Sequence, residues 1–372
     1  MLTAIIRSDP KIILFISALL LYSAQVCAIN DIELSKGFRK QCAELSRDAE
    51  RNGCITVVGR EGWLFLAPEL RHIGVGLFWG KQAAQVSKAV KSEYADPLPA
   101  ILDFSNQLKS HGIELLMVIV PPKAVIYSDY LPGAKSESDK ASIQRLDQFH
   151  QNFYDILRAN GIELLDLTEL FMEQRFSEKG ALYCQQDSHF SGTGCMVAAK
   201  AIAKRLKERA WFNAIAKERF SAKWRVITYT GDLLKGLRSE NSQKEHIMVR
   251  RISREKGSSL EPIASDPSSP IILLGDSHTL VFHAGGDMHA KGAGLADQIA
   301  YELGVPVDIV GVRGSGATPA RINLFRRAKK DKHYWQNKRI VLWCFSAREF
   351  TESDGWRKIP TQQPKEREKI VP

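Results

Sequence analysis

The stretch Pro270-Ile271-Ile272-Leu273-Leu274-Gly275-Asp276-Ser277-His278-Thr279 constrains this chain more than any other. Consecutive aliphatic residues running into Gly-Asp-Ser-His read as a strand buried on both faces and closed by a tight turn. Thr279-Leu280-Val281-Phe282 then reads as the start of a helix. A serine in that turn has its hydroxyl at the carboxyl end of a strand and its N–H near a helix N-terminus. That is where α/β enzymes collect reactive groups. The plain alternative is a strand-to-helix turn in which Asp276 and Ser277 only cap the helix.

A second stretch, Tyr183-Cys184-Gln185-Gln186-Asp187-Ser188-His189-Phe190-Ser191-Gly192-Thr193-Gly194, gives the serine a chemical use. Serine is a weak nucleophile until a histidine takes its proton, and the histidine needs a carboxylate to fix its tautomer. Asp187 and His189 are two positions apart, so in an extended segment both side chains point to one side. The carboxylate can brace one imidazole nitrogen while the other faces Ser277. A helical run from Cys195 to Ala210 follows, as it does where a site loop leads into a helix.

Together these blocks resemble the SGNH-hydrolase-like alginate O-acetyltransferases, the AlgJ and AlgX group. Further blocks agree with the resemblance: Gly62-Trp63-Leu64-Phe65-Leu66, Val120-Pro121-Pro122-Lys123, Asp297-Gln298-Ile299-Ala300, Gly314-Ser315-Gly316-Ala317-Thr318 and Val341-Leu342-Trp343. They span roughly residues 50 to 352. In ordinary SGNH hydrolases the serine block comes first; here the Asp/His block precedes it, the circularly permuted order of this group. The resemblance implies an α/β, three-layer SGNH-hydrolase-like fold with a mainly parallel sheet. It implies Ser277 as nucleophile, His189 as general base then acid, and Asp187 as its orienter. The backbone N–H groups of Ser277 and of Gly314 or Gly316 are the expected oxyanion donors, with a plain flexible turn as the other reading of that glycine loop. Cys344 and Ser346 depart from the family pattern and carry no expected role.

The first 28 residues read as a secretory signal: Arg7 and Lys11 precede an apolar run from Ile12 to Leu21, with Val26-Cys27-Ala28 at the cleavage site. The segment is either removed or retained as an anchor, and the protein is expected in the periplasm. Residues 29–357 are expected to form one domain, and the Pro-, Gln- and Lys-rich tail 358–372 to be disordered. No appended carbohydrate-binding domain is expected after it, which resembles AlgJ more than AlgX. Without residues 1–28 the chain keeps 50 basic and 41 acidic residues, a formal charge of +9. No zinc-finger spacing or RNA-binding aromatic signature accompanies that charge, which argues against nucleic acid. An anionic polysaccharide or the membrane surface is the better match.

The exported chain keeps Cys42, Cys54, Cys184, Cys195 and Cys344. An oxidising compartment permits disulfides, and Cys42–Cys54 and Cys184–Cys195 are open pairings that spacing does not fix. Cys344 reads as a buried thiol. Elsewhere the pattern is helix, glycine, strand: helices over Leu98–Leu108 and Ile143–Asn160, and strands over Ile113–Val120, Ile162–Leu165, Val305–Val310 and Ile340–Phe345. A helix is also expected over 32–53 and over Leu295–Leu303. Lys123, after Pro121-Pro122, reads as an exposed turn lysine, with a lysine pointing into a site at the strand's carboxyl end as the other reading. The basic stretch from Ala198 to Lys217 reads as a solvated helix face, and residues 236–268 as an excursion, a hairpin or flap. His278, His283 and His289 with Asp287 raise zinc, but their spacings put no pair on one helix face, so no metal and no cofactor is expected.

The expected activity is transfer of an acetyl group through Ser277 to hydroxyls of an alginate-like exopolysaccharide. The resemblance implies a membrane-bound O-acyltransferase as acetyl donor and other polysaccharide secretion proteins as partners. A secreted carbohydrate esterase using the same residues, or a non-catalytic scaffold of a secretion complex, are the alternatives.

Overall fold

The computed structural model describes residues 32–134, 144–237, 244–256 and 259–361. Residues 1–28, where a secretory signal is expected, and the tail from 362 lie outside the described residues. A helix over 32–51 leads into an antiparallel pair, β1 (Thr56–Val58) and β2 (Leu64–Leu66). Then come β3 (Glu114–Val120) and β4 (Glu163–Asp166), followed by the two-residue strands β5 (Phe176–Ser177) and β6 (Gly180–Ala181). β7 (Ser221–Tyr229), β8 (Glu245–Lys256) and β9 (Ser259–Pro262) form an antiparallel sheet. The last strands are β10 (Ile271–Gly275), β11 (Asp308–Gly311) and β12 (Ile340–Ser346).

The central sheet has the order β11-β10-β12-β3-β4, and every neighbouring pair is parallel. Period-two alternation divides its side chains between two cores. Ile271, Leu273, Leu116, Val118, Leu342 and Cys344 lie in one, against Ala198, Ile202 and Leu206 of the helix Gly192–Lys207 and Leu295 and Ile299 of the helix Leu295–Leu303. Ile272, Leu274, Met117, Ile119, Val341 and Trp343 lie in the other. They face Ile101 and Phe104 of the helix Pro97–Ser110, Phe153 and Leu157 of Gln148–Ala159, and Leu324 of Thr318–Lys330. Each fully buried aliphatic side chain contributes about 1.5–3 kcal/mol, so a sheet covered on both faces explains the unbroken apolar runs. The fold is a three-layer α/β fold.

Topology fixes where chemistry can occur. The chain steps outward from β3 to β4 on one side and from β10 to β11 on the other, and β12 fills the gap between β10 and β3. The strand order therefore reverses around β12, and a crevice opens above the carboxyl ends of β10, β12 and β3.

Several sequence expectations change. The helix expected from Thr279 is a single 3₁₀ turn, Ser277–Thr279, because Phe282 turns into positive φ (57°) and the chain reverses. The helix expected from Ile143 starts at Gln148: Arg145 bonds Asp147 at 2.7 Å and Asp166 at 2.6 Å, holding residues 144–147 irregular beside β4. The strand expected from Val305 starts at Asp308, since Pro306 has no N–H for a ladder. The helix expected over Cys195–Ala210 runs Gly192–Lys207; Ser191 caps it, its hydroxyl accepting from the N–H groups of Thr193 and Gly194 at 3.1 Å each. Lys200, Lys204, Arg205 and Lys207 are exposed on it, whereas residues 215–220 are irregular. The 236–268 excursion is part of a sheet that begins earlier, at Ser221. All five described thiols are free: Cys184 turns to the carbonyl of Phe190 at 3.4 Å, Cys195 faces the core, and exposed Cys54 is separated from buried Cys42. In the tail, Thr361 is buried, and its N–H donates to Gln107 Oε1 at 2.6 Å.

A buried histidine pair ties the peripheral helices together. His72 Nε2 lies 2.7 Å from His150 Nε2, and His72 Nδ1 lies 2.9 Å from the Thr351 hydroxyl. One proton can sit between the two rings. Burial holds both imidazoles below the ordinary histidine pKa, and their mutual repulsion adds to the effect at His72. The unfolded chain therefore binds more protons as pH falls through about 6.5, and stability is lost from there toward acid. In denaturant titrations, stability is expected to fall by up to about 1.4 kcal/mol per pH unit for each such group below that value. His150→Phe should flatten the slope; a slope unchanged in the variant would count against the pair.

Candidate active site

Ser277 stands just beyond β10, where a side chain on Gly275 would drive its Cβ to 1.7 Å from the Cys344 carbonyl oxygen. Only glycine lets the turn sit that close to β12. Asp276 accepts from the His278 N–H at 2.9 Å and its Nδ1 at 3.2 Å through one oxygen, and from the Ser346 N–H at 2.8 Å through the other. It therefore clamps the serine turn to β12 and is a turn former. Burial alone would raise its pKa, but His278, Arg348 and the Ser346 N–H outweigh that and hold it down to about 2.

The segment carrying Asp187 and His189 folds back on itself. Tyr183 and Phe190 form an antiparallel bridge, and the Ser191 N–H donates to Leu182 O at 2.9 Å. This hairpin carries His189 over the crevice, 88 residues from Ser277 in sequence, with Nε2 at 2.7 Å from the serine Oγ. Its Nδ1 lies 2.6 Å from Asp187 Oδ1, so Nδ1 carries the proton and Nε2 presents its lone pair to the serine. Burial opposes a charge on His189, but the Asp187 carboxylate wins and raises its pKa above the ordinary value. Burial would likewise raise Asp187; His189 and His289 outweigh it and hold the carboxyl well below its usual range. Ser277, His189 and Asp187 are 7%, 6% and 0% exposed, so little solvent competes for these hydrogen bonds.

Groups to which the sequence assigns no part in the site hold the hairpin. Lys123, expected to be exposed, is 1% exposed and donates to the carbonyls of Leu64 at 2.6 Å, Gln185 at 2.9 Å and Asp187 at 3.1 Å. Its three donors meet three acceptors, and burial lowers its pKa to about 8. Glu245 of β8 accepts from the N–H groups of Gln185 and Gln186 at 2.8 and 2.9 Å. Asp232 accepts from the Ser188 N–H at 2.8 Å and its hydroxyl at 2.6 Å, while its own N–H donates to Asp187 Oδ2 at 2.8 Å. These partners come from distant parts of the chain, which leaves no local sequence signal. Among the described residues Asp187, His189 and Asp232 bring ligand-type atoms within 4.8 Å of one another, and the hydrogen bonds just described engage each residue.

The three histidines weighed as metal ligands separate. His278 meets Asp276, His283 Nδ1 meets Asp297 Oδ2 at 2.9 Å, and His289 Nε2 meets Asp187 Oδ2 at 2.8 Å. Of the glycine loop, Gly316 presses against the serine turn: a Cβ there would stand 2.8 Å from the Asp276 nitrogen. Gly314 takes φ of 96° in open space. The Ser315 hydroxyl bonds Glu349, a buried carboxyl pushed up to about 7 by burial and by Asp276.

A family model described as "SGNH hydrolase-like domain, acetyltransferase AlgX" matches residues 56–347. The probable alginate O-acetylase AlgJ of Pseudomonas putida is 25% identical over 234 residues, covering 60% of this chain and 54% of that protein. The protein of the same name from Pseudomonas aeruginosa is 23% identical over 178 residues, covering 48% of this chain and 40% of that one. The chain thus spans about half the length of the curated relatives it matches. Among solved structures, the O-acetyltransferase domain of Pseudomonas putida AlgJ superposes with a TM-score of 0.57 at 20% identity, over 80% of this chain and 92% of that one. Pseudomonas aeruginosa AlgX gives 0.53 at 19% identity, over 78% and 61%. These likenesses share the three-layer fold, and with the match across β1 to β12 the chain belongs to the SGNH hydrolase-like, AlgX-type acetyltransferase domain family.

Proposed function

We propose that this protein is a periplasmic O-acetyltransferase that passes an acetyl group through an ester on Ser277 to hydroxyls of an alginate-like exopolysaccharide. The observation that carries the reading is the hydrogen-bonded line from Ser277 Oγ through His189 to Asp187, at 2.7 and 2.6 Å, above the carboxyl end of the sheet. The relatives named as alginate O-acetylases support the substrate class.

In this reading Ser277 Oγ attacks the carbonyl carbon of an acetyl ester as its proton passes to His189 Nε2. Asp187 stays ionised and stabilises the imidazolium. The N–H groups of Ser277 and of Gly314 or Gly316 receive the negative oxygen. His189 returns the proton to the departing donor alcohol, leaving acetyl-Ser277. A sugar hydroxyl then gives its proton to Nε2, attacks the ester carbonyl and leaves as the acetyl sugar, while Ser277 regains the proton. Acetyl-CoA is cytoplasmic, so a membrane-bound O-acyltransferase is the fitting donor, with other polysaccharide secretion proteins around it. No helix among the described residues is long and apolar enough to cross a membrane.

The decisive experiment supplies a chromogenic acetyl ester and oligosaccharide acceptors and reads the products by mass spectrometry. Acetylated sugar is expected from the natural chain, with Ser277→Ala lowering turnover by roughly 10⁴-fold. Donor hydrolysis without acetylated sugar would replace transfer by esterase activity, and turnover that survives Ser277→Ala would overturn the reading. Activity should fall toward acid as His189 takes a proton, with the acid limb of kcat/KM above the ordinary histidine value of about 6.5. Lys123→Met removes the shared donor of three carbonyls and should cost about 10²-fold in kcat by loosening Asp187. Wild-type kcat in that variant would show that the hairpin is held without the lysine.

A further inference from the structure

We infer that His289 is a positioning residue that holds Asp187 from the side opposite His189, and so sets how strongly His189 binds its proton. The inference rests on the catalytic reading of Ser277, His189 and Asp187 given above. Each oxygen of the Asp187 carboxylate receives a different imidazole: Oδ1 takes His189 Nδ1 at 2.6 Å, and Oδ2 takes His289 Nε2 at 2.8 Å. The His289 side chain is 8% exposed and packs on Tyr229, ring centroids 4.3 Å apart, and Phe282, 5.7 Å apart.

The backbone shows what it takes to bring this ring there. His289 has φ 70° and ψ −57°, a conformation costly for any residue with a Cβ. Among the described non-glycine residues positive φ occurs at Glu61, Phe282 and His289, so two of the three lie in this one loop. The loop is held by the Phe282 N–H on Met288 O at 2.8 Å, the Gly285 N–H on Ala290 O at 2.8 Å and the Ala293 N–H on Phe282 O at 2.8 Å. His283, in the same segment, makes a useful contrast. Its carboxylate, Asp297, accepts the Gly294 N–H at 2.9 Å and so serves a helix terminus. The carboxylate that His289 meets is the one that orients His189.

The chemical consequence follows from hydrogen bonding to the charged form. Donation to Oδ2 stabilises the carboxylate and lowers its basicity, which moderates its pull on the His189 proton. It also occupies Oδ2 and leaves Oδ1 for His189, fixing the ring orientation that points Nε2 at Ser277. The other groups facing this pair are Asp232, whose carboxylate lies 3.9 Å from His189 Nδ1, Lys123 on the Asp187 carbonyl, His278, with its ring 4.9 Å from that of His189, and Tyr229. Arg348 adds a positive field at His189. None of these residues is itself altered by a substitution at His289.

The test compares His289→Gln, whose amide nitrogen can replace Nε2, with His289→Phe in the full chain. Three readouts are taken: the pH profile of chromogenic acetyl-ester turnover, the melting temperature, and the low-field proton resonance of the His189–Asp187 hydrogen bond. His289→Gln should stay within about threefold of the natural enzyme with its acid limb unmoved. His289→Phe should lose about 10- to 100-fold in kcat with little change in KM, its acid limb moving to higher pH and its low-field resonance shifting. Superposable pH profiles for His289→Phe and wild type, or equal damage in both variants, would reduce His289 to a packing residue. The resonance needs no turnover, so an enzyme inactive on the ester would overturn the catalytic reading while the resonance still decided His289: a shift in His289→Phe supports the inference, and an unmoved line overturns it.

Discussion

Asp187 is a carboxylate with no exposure to solvent, and the rest of the site depends on keeping its charge in place. An ionised group removed from water is tolerated only when its lone pairs are met by well-placed donors. Here they are: the N–H and Nδ1 of His189 on one oxygen, the N–H of Asp232 and Nε2 of His289 on the other. These donors come from the hairpin itself, from the turn after β7 and from the loop after the serine. The carboxylate therefore works as a joint between three segments as well as an electrostatic partner of His189.

Lys123 and Asp276 complete that logic at the backbone level. The lysine spends its donors on carbonyls from two segments, which ties the Asp/His hairpin to β2 beside the end of β3. Asp276 spends both oxygens on its own turn and on β12. Neither interaction is an ion pair of the surface kind, whose net worth is often close to zero. Each satisfies groups that would otherwise be buried without partners, where loss of one partner costs about 1–3 kcal/mol.

The sequence was most readable where the physics is local. The strand before Ser277, the turn chemistry of Gly275-Asp276 and the two-residue spacing of Asp187 and His189 all act within a few residues, and the structure brings these side chains together. The helix Leu295–Leu303 and β12 fall within a residue of where periodicity puts them. Reading failed where a residue's state is decided by a distant partner. A lone lysine after two prolines looks exposed until the carbonyls 59 to 64 residues away close around it. β7 carries no strand signal in the sequence, since Lys223, Arg225 and Val226 are exposed and no strict apolar alternation marks it. Asp232 and Glu245 have no motif to announce them, and His289 stands out in the sequence only as a candidate metal ligand.

The position of β12 has a consequence for how the protein comes into being. It is the last strand of the central sheet along the chain, yet it lies in the middle, with β10–β11 on one side and β3–β4 on the other. Until it inserts, the sheet exists only as two separate ribbons. One ribbon carries the serine; the other, through Lys123, the histidine hairpin. Long-range closure of this kind is intrinsically slow, because its loop entropy must be met before any contact offsets it. A chain that has not yet placed β12 thus holds Ser277 and His189 on separate ribbons, and the two side chains meet only with the strand that makes the sheet whole.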